Sequence, residues 1–133
     1  MNKSCNNPKE LFNSVQYGFS QITTCEPGKL VFISGQVAWD ENAKIVGEND
    51  LGIQTQKAID NLKIAMESVG GSLDNIVMLR IYKVDYKADD GAIISEALSR
   101  NFGATCPPAS TWVSVKGLAN QAFMIEIEAQ AVL

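Results

Sequence analysis

Two stretches near the end of the chain decide the fold: PASTWVSV at residues 108–115 and FMIEIEAQA at residues 123–131. Both are rich in β-branched, aromatic and other apolar residues, which is typical of strands. The segment between them, 116–122, contains Gly117 and Asn120, two residue types that favour turns. The pattern therefore predicts a β-hairpin at this end of the chain.

The second of these strands is predicted to have two faces of opposite character, because side chains alternate along a strand. One face carries Ile125, Ile127, Ala129 and Ala131, and the other carries Met124, Glu126, Glu128 and Gln130. Carboxylates in this pattern most often lie on a sheet face that is exposed to water. On the pattern alone we weight this interpretation about two to one over the alternative. The alternative is that this face closes on a subunit or a small cleft and that one carboxylate is partly removed from water.

The composition is typical of a globular protein. The 133 residues are 46% apolar and 20% charged, so we expect a single domain over 1–133, with the polar range 1–13 loosely ordered. The net charge is −4 and no lysine or arginine cluster is present, which argues against a nucleic-acid partner. No apolar run is long enough to cross a bilayer, and residues 1–10 lack the apolar segment of a signal peptide. We therefore expect a cytoplasmic protein without a membrane partner.

The residue types available for chemistry are few. The chain has no histidine, which removes the commonest general base and nearly every catalytic zinc site. Cys5, Cys25 and Cys106 are far apart and odd in number, so we expect no disulfide framework and assign Cys106 as a buried thiol. Any chemistry must come from carboxylates, hydroxyls, thiols, lysine, arginine, backbone groups and water, and we expect neither a metal nor a cofactor.

Periodicity predicts strands at 15–22, 30–34 and 75–85, and helices from Asp50 to about Val69 and from Asp89 or Asp90 to Phe102. Together with the hairpin this gives an α+β fold of two layers, in which a mixed six-stranded sheet carries two helices on one face. The strands have apolar residues on both faces, as at Phe32 and Ile33. We therefore expect an oligomer that buries the second face.

Five ordered blocks resemble one family: ISGQ at 33–36, QTQ at 54–56 with NL at 61–62, PA at 108–109, GL at 117–118 and IEIEA at 125–129. The blocks are similar to those of the RidA/YjgF enamine/imine deaminases, some of which carry the names endoribonuclease or translation inhibitor. The resemblance spans about residues 15–132. It implies a chorismate-mutase-like fold, a homotrimer, and a small-molecule ligand in each intersubunit cleft, where water hydrolyses imines to keto acids and ammonia without a cofactor.

The resemblance also assigns residues to the cleft. Gly35 matches the glycine of the Ser-Gly-Gln turn, and Glu126 matches the glutamate that helps to place the water. Ser110 stands where the family has an arginine that holds the substrate carboxylate. Phe19 stands where a tyrosine is frequent, and Trp112 replaces a small residue. A serine hydroxyl gives one neutral hydrogen bond in place of two charge-assisted ones, so we expect a more apolar cleft with altered specificity.

Two functions from different classes follow from these residues. The first is an imine or enamine hydrolase in which Glu126 orients water; a structural role for Glu126 weighs about equally. The second is a trimer that binds a small molecule or a partner without turning it over. A ribonuclease is the weakest interpretation, given the acidic pI and the absence of histidine.

Overall fold

A computed structural model describes residues 2–133, which form six strands and two helices. In chain order these are β1 Lys3–Asn6, β2 Ile22–Cys25, β3 Leu30–Gln36, α1 Leu51–Ser68, β4 Ile76–Val84, α2 Asp90–Phe102, β5 Ala109–Val115 and β6 Ile125–Val132. Short 3-10 turns lie at Val15–Tyr17 and Leu73–Asn75. The predicted α+β class, with two helices and a mixed sheet, is confirmed.

The main sheet has four strands in the order β3-β6-β4-β5. β4 and β5 are parallel, whereas β6 is antiparallel to both β3 and β4. The predicted C-terminal hairpin is therefore wrong, because β4 lies between β5 and β6. The connection at residues 116–124 has turn residues, but it is long enough to cross the end of β4 instead of reversing beside β5.

β1 and β2 form a separate antiparallel pair. The prediction of one continuous sheet of six strands is therefore wrong in its strand count, since the main sheet has four. The strand predicted at 15–22 is also wrong, since Val15–Tyr17 is a 3-10 turn and Gly18 has a φ of 93°. That left-handed conformation ends the extended pattern and is accessible to glycine. A parallel bridge between Ser20 and Ala109 then connects this segment to the main sheet. β1 itself lies in the range that was expected to be loosely ordered.

Both helices lie as predicted, because their signals are local. Asp50 caps α1 by accepting a hydrogen bond from the Ile53 N–H, and Gly70, with a φ of 85°, follows its end. The buried stripe of α1 packs on β6 and β3; it comprises Leu51, Gln54, Thr55, Ala58, Ile59, Leu62 and Met66. Fully burying one large apolar side chain contributes about 1.5–3 kcal/mol. None of the helices within residues 2–133 is long and apolar enough to span a bilayer.

The two faces of β6 differ as predicted. Its inner face is buried against the helices and comprises Ile125, Ile127, Ala129 and Ala131. Glu126, Glu128 and Gln130 are half-buried on the outer sheet face, and Val132 at the end of the strand is buried. On the same outer face Phe32 is 71% exposed and Val113 is 44% exposed. One sheet face is thus covered by helices, and the other presents apolar side chains.

The start of α2 is fixed by a buried ion pair. Lys83 lies on the inner face of β4, and its Nζ is 3.1 Å from the Asp90 carboxylate. Burial alone raises the pKa of Asp90, but hydrogen bonds from the Lys87 N–H and from Lys83 outweigh it and leave that pKa below its usual value. A buried lysine needs such a partner, because an unpaired charge among apolar neighbours is costly.

A disulfide links Cys5 in β1 to Cys106 in the loop before β5, with the two Cα atoms 5.6 Å apart. The expectation that the cysteines form no disulfide, and that Cys106 is a thiol, is therefore wrong. The sequence separation of 101 residues hid the pair, because only the fold brings β1 beside this loop. Cys25 is a free thiol.

Candidate functional site

Gly35 and Glu126 lie against each other on the outer sheet face. The register of β3 against β6 shifts between Ile33 and Gln36, and this bulge turns Gly35 towards the Glu126 side chain. A Cβ atom built on Gly35 would lie 2.7 Å from both Cγ and Cδ of Glu126. Glycine is therefore required here for the close approach of a carboxylate to the backbone.

These two residues line a cavity of about 630 Å³, which we call the carboxylate cavity. Its other walls include Gln36, Trp39, Lys57 and Asn61. The Asn61 side-chain amide holds the loop after β3 by donating to the carbonyl oxygens of Val37 and Trp39, at 2.9 and 3.0 Å. The Trp39 ring packs edge-on against Phe123, with centroids 4.9 Å apart.

The two carboxylates of β6 have different partners. Glu128 accepts a short hydrogen bond from the Tyr82 hydroxyl, which raises the pKa of Tyr82 above its usual value. Glu126 has no hydrogen bond or ion pair to any side chain in residues 2–133. Of the two, Glu126 is therefore the carboxylate whose side chain is not engaged by another side chain of the described residues, and Glu128 is a partner of Tyr82 on β4.

Phe19, Ser110 and Trp112 form a second group at the edge of the sheet. The Trp112 indole N–H donates to Ser110 Oγ at 2.8 Å, and the Phe19 ring lies 6.0 Å from the Trp112 ring. Ser110 is thus a partner of Trp112. The family resemblance assigns all three residues to one cleft. The hydrogen bond from the indole N–H to Ser110 Oγ is visible only in the structure.

Trp112 forms one wall of a second cavity of about 550 Å³, which we call the aromatic cavity. It is lined by Gln16, Tyr17, Tyr86, Ala88, Gly91, Ala92, Ser95, Glu96, Ser99 and Trp112. Sequence reasoning missed Tyr17 and Tyr86. The small residues at the start of α2 were the available signal, since they leave room between that helix and the rings.

The two groups lie on opposite faces of the sheet. In the β4–β5 register Ser110 pairs with Leu79 and Trp112 pairs with Ile81, so both point to the side of the helices. Glu126 pairs with Tyr82 and points to the other side. A single chain therefore brings Phe19, Ser110 and Trp112 together, and Gly35 with Glu126, but it does not join the two groups.

Within residues 2–133 no group of three or more cysteine, aspartate, glutamate or histidine side chains is placed to hold a metal ion. The aromatic cavity offers one carboxylate, that of Glu96, together with hydroxyls and aromatic rings. The carboxylate cavity offers an amide, the lysine side chain of Lys57 and three carboxylates, those of Asp40, Glu41 and Glu126. Such groups can orient water and bind a small organic molecule.

The chain is similar to a set of known proteins. The sequence profile of the family described as Endoribonuclease L-PSP matches residues 13–133. A RutC family protein of Pyrococcus abyssi is 33% identical over 104 residues, which cover 78% of this chain and 79% of that protein. The protein DfrA of Myxococcus xanthus is 30% identical over 114 residues, which cover 86% and 84% of the two chains.

Solved structures agree with these sequence matches. The crystal structure of YyfB from Yersinia pestis, a protein of unknown function in the Rid family, superposes with a TM-score of 0.96 at 35% identity over the whole of both chains. RidA from the Antarctic bacterium Psychrobacter superposes with a TM-score of 0.70 at 27% identity, covering 86% of this chain and 88% of that one.

Proposed function

The chain belongs to the endoribonuclease L-PSP family, to which the RidA/YjgF proteins also belong, and we propose that it hydrolyses the C=N bonds of small imines or enamines in clefts between the subunits of a homotrimer. The observation that carries the proposal is the contact of Gly35 with Glu126, which puts an unpaired carboxylate at the wall of a cavity. A carboxylate in this position can hold a water molecule and accept its proton.

The proposed reaction needs no cofactor. Water held by Glu126 adds to the imine carbon, the C–N bond breaks, and nitrogen leaves as ammonia while the carbon keeps the oxygen as a carbonyl group. Gly35 contributes by lacking a side chain, because any Cβ atom there would displace the carboxylate. Glu126 is the proposed catalytic residue, and Phe19, Gly35, Ser110 and Trp112 are the proposed substrate-binding residues.

The proposed trimer follows from the placement of the two groups. Ser110 and Trp112 lie on the side of the helices, and Glu126 lies on the outer sheet face. A second copy that covers the exposed Phe32 on that outer face can bring its own aromatic cavity to the first copy's Glu126. Each cleft would then combine one group from each of two chains.

A non-catalytic trimer that binds a small molecule is the second candidate. The observation that favours it is Ser110, which stands where the family resemblance implies an arginine and whose Oγ already accepts a hydrogen bond from Trp112. A ligand panel that raises the melting temperature, without any turnover of imines, would support this candidate over the hydrolase.

We also propose that the protein works in the cytoplasm. The proposal rests on the composition, and the disulfide between Cys5 and Cys106 counts against it, because cytosolic thiols are mostly kept reduced. Alkylation of thiols in intact cells, followed by mass spectrometry, will show whether the pair is reduced where the protein resides.

The hydrolase is tested by measuring ammonia and carbonyl release from imines that a flavin oxidase or a dehydratase generates in place. We expect the wild-type protein to accelerate release above the spontaneous rate, and Glu126→Gln to lose about 10²- to 10⁴-fold of that acceleration. Glu128→Gln is the matched control, since Glu128 faces Tyr82. Equal rates with and without wild-type protein would reject the proposal.

A further inference from the structure

The aromatic cavity lacks the positively charged side chains that a binding site for acids usually has. Three of its walls are the rings of Tyr17, Tyr86 and Trp112, and the only charged side chain among its ten lining residues is that of Glu96. Neither lysine nor arginine lines it. A carboxylate placed here would face ring electrons and a second carboxylate, without a cationic partner, so anions are disfavoured.

Contacts within the chain hold two of the three rings, those of Trp112 and Tyr86, beside the cavity. The indole N–H of Trp112 is occupied by Ser110 Oγ, at 2.8 Å, and is therefore not offered to a ligand. Tyr86 lies across the first turn of α2: its hydroxyl would be 2.6 Å from a Cβ atom on Gly91. The small residue at that position lets the ring lie close to the helix and keeps the cavity open.

The N-terminus of α2, which lies beside the cavity, does not make the cavity favourable to an anion. The first turn of a helix carries a partial positive charge that would favour an anion. In α2 that turn contains Asp90, whose carboxylate accepts from the Lys87 N–H at 2.8 Å and pairs with Lys83. The positive end of the helix is therefore already compensated by a carboxylate of the chain itself.

Glu96 is available to a cation. Its partner is Arg100, at 3.7 Å, and the two side chains are 79% and 52% exposed. Such exposed pairs contribute about 0–1 kcal/mol, so a ligand can compete for the carboxylate.

We propose that the aromatic cavity binds a cationic nitrogen, and that the substrates are protonated imines derived from primary amines, which carry no carboxylate. This inference rests on the proposed hydrolysis for its chemistry and on the cavity for its selectivity. Cations bind favourably over the faces of tryptophan and tyrosine rings, and the protonated imine is itself a cation. Its hydrolysis is balanced: R–CH=NH₂⁺ and water give an aldehyde and an ammonium ion, with no oxidant or reductant.

Binding is tested separately from turnover by calorimetry on the full chain with two probes of similar shape and opposite charge. Benzyltrimethylammonium and benzoate share a phenyl ring and cannot be hydrolysed by this reaction. We expect the cation to bind at least about tenfold more tightly than the anion, in the range of a ring–cation contact. Benzoate binding that equals or exceeds that of the cation would overturn the inference.

Variants locate the binding. Tyr86→Leu should weaken binding of the cation about 3- to 30-fold, and Glu96→Gln should weaken it by a smaller factor. Glu67→Gln is the matched control, because Glu67 is an exposed helical glutamate that pairs with Lys63 on α1, away from the cavity. If Tyr86→Leu and Glu67→Gln bind the cation equally well, the site is not the aromatic cavity and the inference fails.

The two proposals can fail independently. If the cation binds as expected but imines of amines are not hydrolysed, the cation site stands and the proposed hydrolysis falls. If the imine of an amino acid is hydrolysed faster than the matching imine of an amine, hydrolysis stands and the selectivity inferred here falls. Phenylalanine and phenethylamine give such a matched pair, since their imines differ only by the carboxylate.

Discussion

Ser110 is the residue on which the proposed change of specificity depends most. The family resemblance puts an arginine at this position, where it would hold a substrate carboxylate. In this chain Ser110 instead accepts the indole N–H of Trp112 and so fixes one wall of the aromatic cavity. In the specificity proposed above, an aromatic surface takes the place of the cationic group that the resemblance implies.

Restoring the arginine should therefore restore binding of acids. We predict that Ser110→Arg binds 2-oxobutyrate about 10- to 100-fold more tightly than the wild-type protein, since a charge-assisted pair contributes about 1.5–3 kcal/mol. Isothermal calorimetry measures the change, and Ser68→Arg, at an exposed position on α1, controls for added charge. Unchanged binding of the keto acid would show that Ser110 does not face the ligand.

The sequence allowed some residues of the candidate site to be recognised, but not the contacts that they make. Gly35 and Glu126 were recognisable from the resemblance, and the structure puts them in contact. The roles of Tyr17 and Tyr86 were not recognisable, because they depend on how a 3-10 turn and the loop before α2 pack beside Trp112. Such contacts join segments far apart in the chain, and local patterns carry no information about them.

At the scale of the helices and strands, the bulge in β3 has the most direct effect on the proposed reaction, because it sets the position of Gly35 beside Glu126. We predict that Gly35→Ala lowers kcat/KM for imine hydrolysis by about tenfold or more, because its Cβ atom displaces the Glu126 carboxylate. The free energy of unfolding should fall by less than about 1 kcal/mol, since Glu126 is a flexible side chain that can move aside. Steady-state kinetics and urea unfolding measure the two effects.

Gly117→Ala is the matched control for this substitution, because a Cβ atom at Gly117 meets nothing within 4 Å. It should change neither quantity. If Gly35→Ala lost stability and activity in proportion, Gly35 would be needed for folding and not for the position of the carboxylate.

The junction of β4 and α2 depends on the ion pair of Lys83 with Asp90. We predict that Asp90→Asn lowers the free energy of unfolding at pH 7 by about 3 kcal/mol, since it leaves a buried lysine without its partner. The folded-state pKa of Asp90 lies below its usual value, so this stabilisation is complete above the unfolded pKa, near ~3.9, and is lost as the pH falls through the folded-state pKa.

Urea unfolding at several pH values tests this prediction. The difference between the wild-type protein and Asp90→Asn should be constant near neutral pH and should shrink below pH ~4. Asp89→Asn is the control, because the Asp89 side chain makes no capping hydrogen bond. A difference that does not change with pH would mean that the carboxyl group acts through packing alone.

The elements also show which parts of the fold a sequence can predict. The two helices were located because their caps and apolar periodicity are local, as at Asp50 and Gly70. The order of the strands could not be predicted, because the pairing of β6 with β4, and not with β5, is a long-range contact. The disulfide escaped prediction for the same reason.

At the scale of the whole molecule the disulfide ties the β1–β2 pair to the main sheet. We predict that reduction, or the substitution Cys5→Ser, lowers the free energy of unfolding by about 4 kcal/mol, because the crosslink closes a loop of roughly 100 residues in the unfolded chain. Chemical denaturation with and without a reductant measures it. Cys25→Ser, which removes the free thiol, should leave the difference between the two conditions intact.

The proposed cleft depends on the assembly, because the aromatic cavity and Glu126 lie on opposite faces of one sheet and can form a cleft only between copies. The most direct measurement is subunit complementation of imine hydrolysis. Ala92→Trp fills the aromatic cavity from an exposed helical position, and Glu126→Gln removes the proposed catalytic carboxylate. Each variant alone should be inactive.

Trimers reassembled from an equal mixture of the two variants should regain about a quarter of the wild-type rate, since one interface in four joins an intact cavity to an intact Glu126. Size-exclusion chromatography with light scattering confirms that mixed trimers have formed. Activity near a quarter of the wild-type value is expected if each cleft is shared between two subunits. Mixed trimers that remain as inactive as the two parent variants would contradict it.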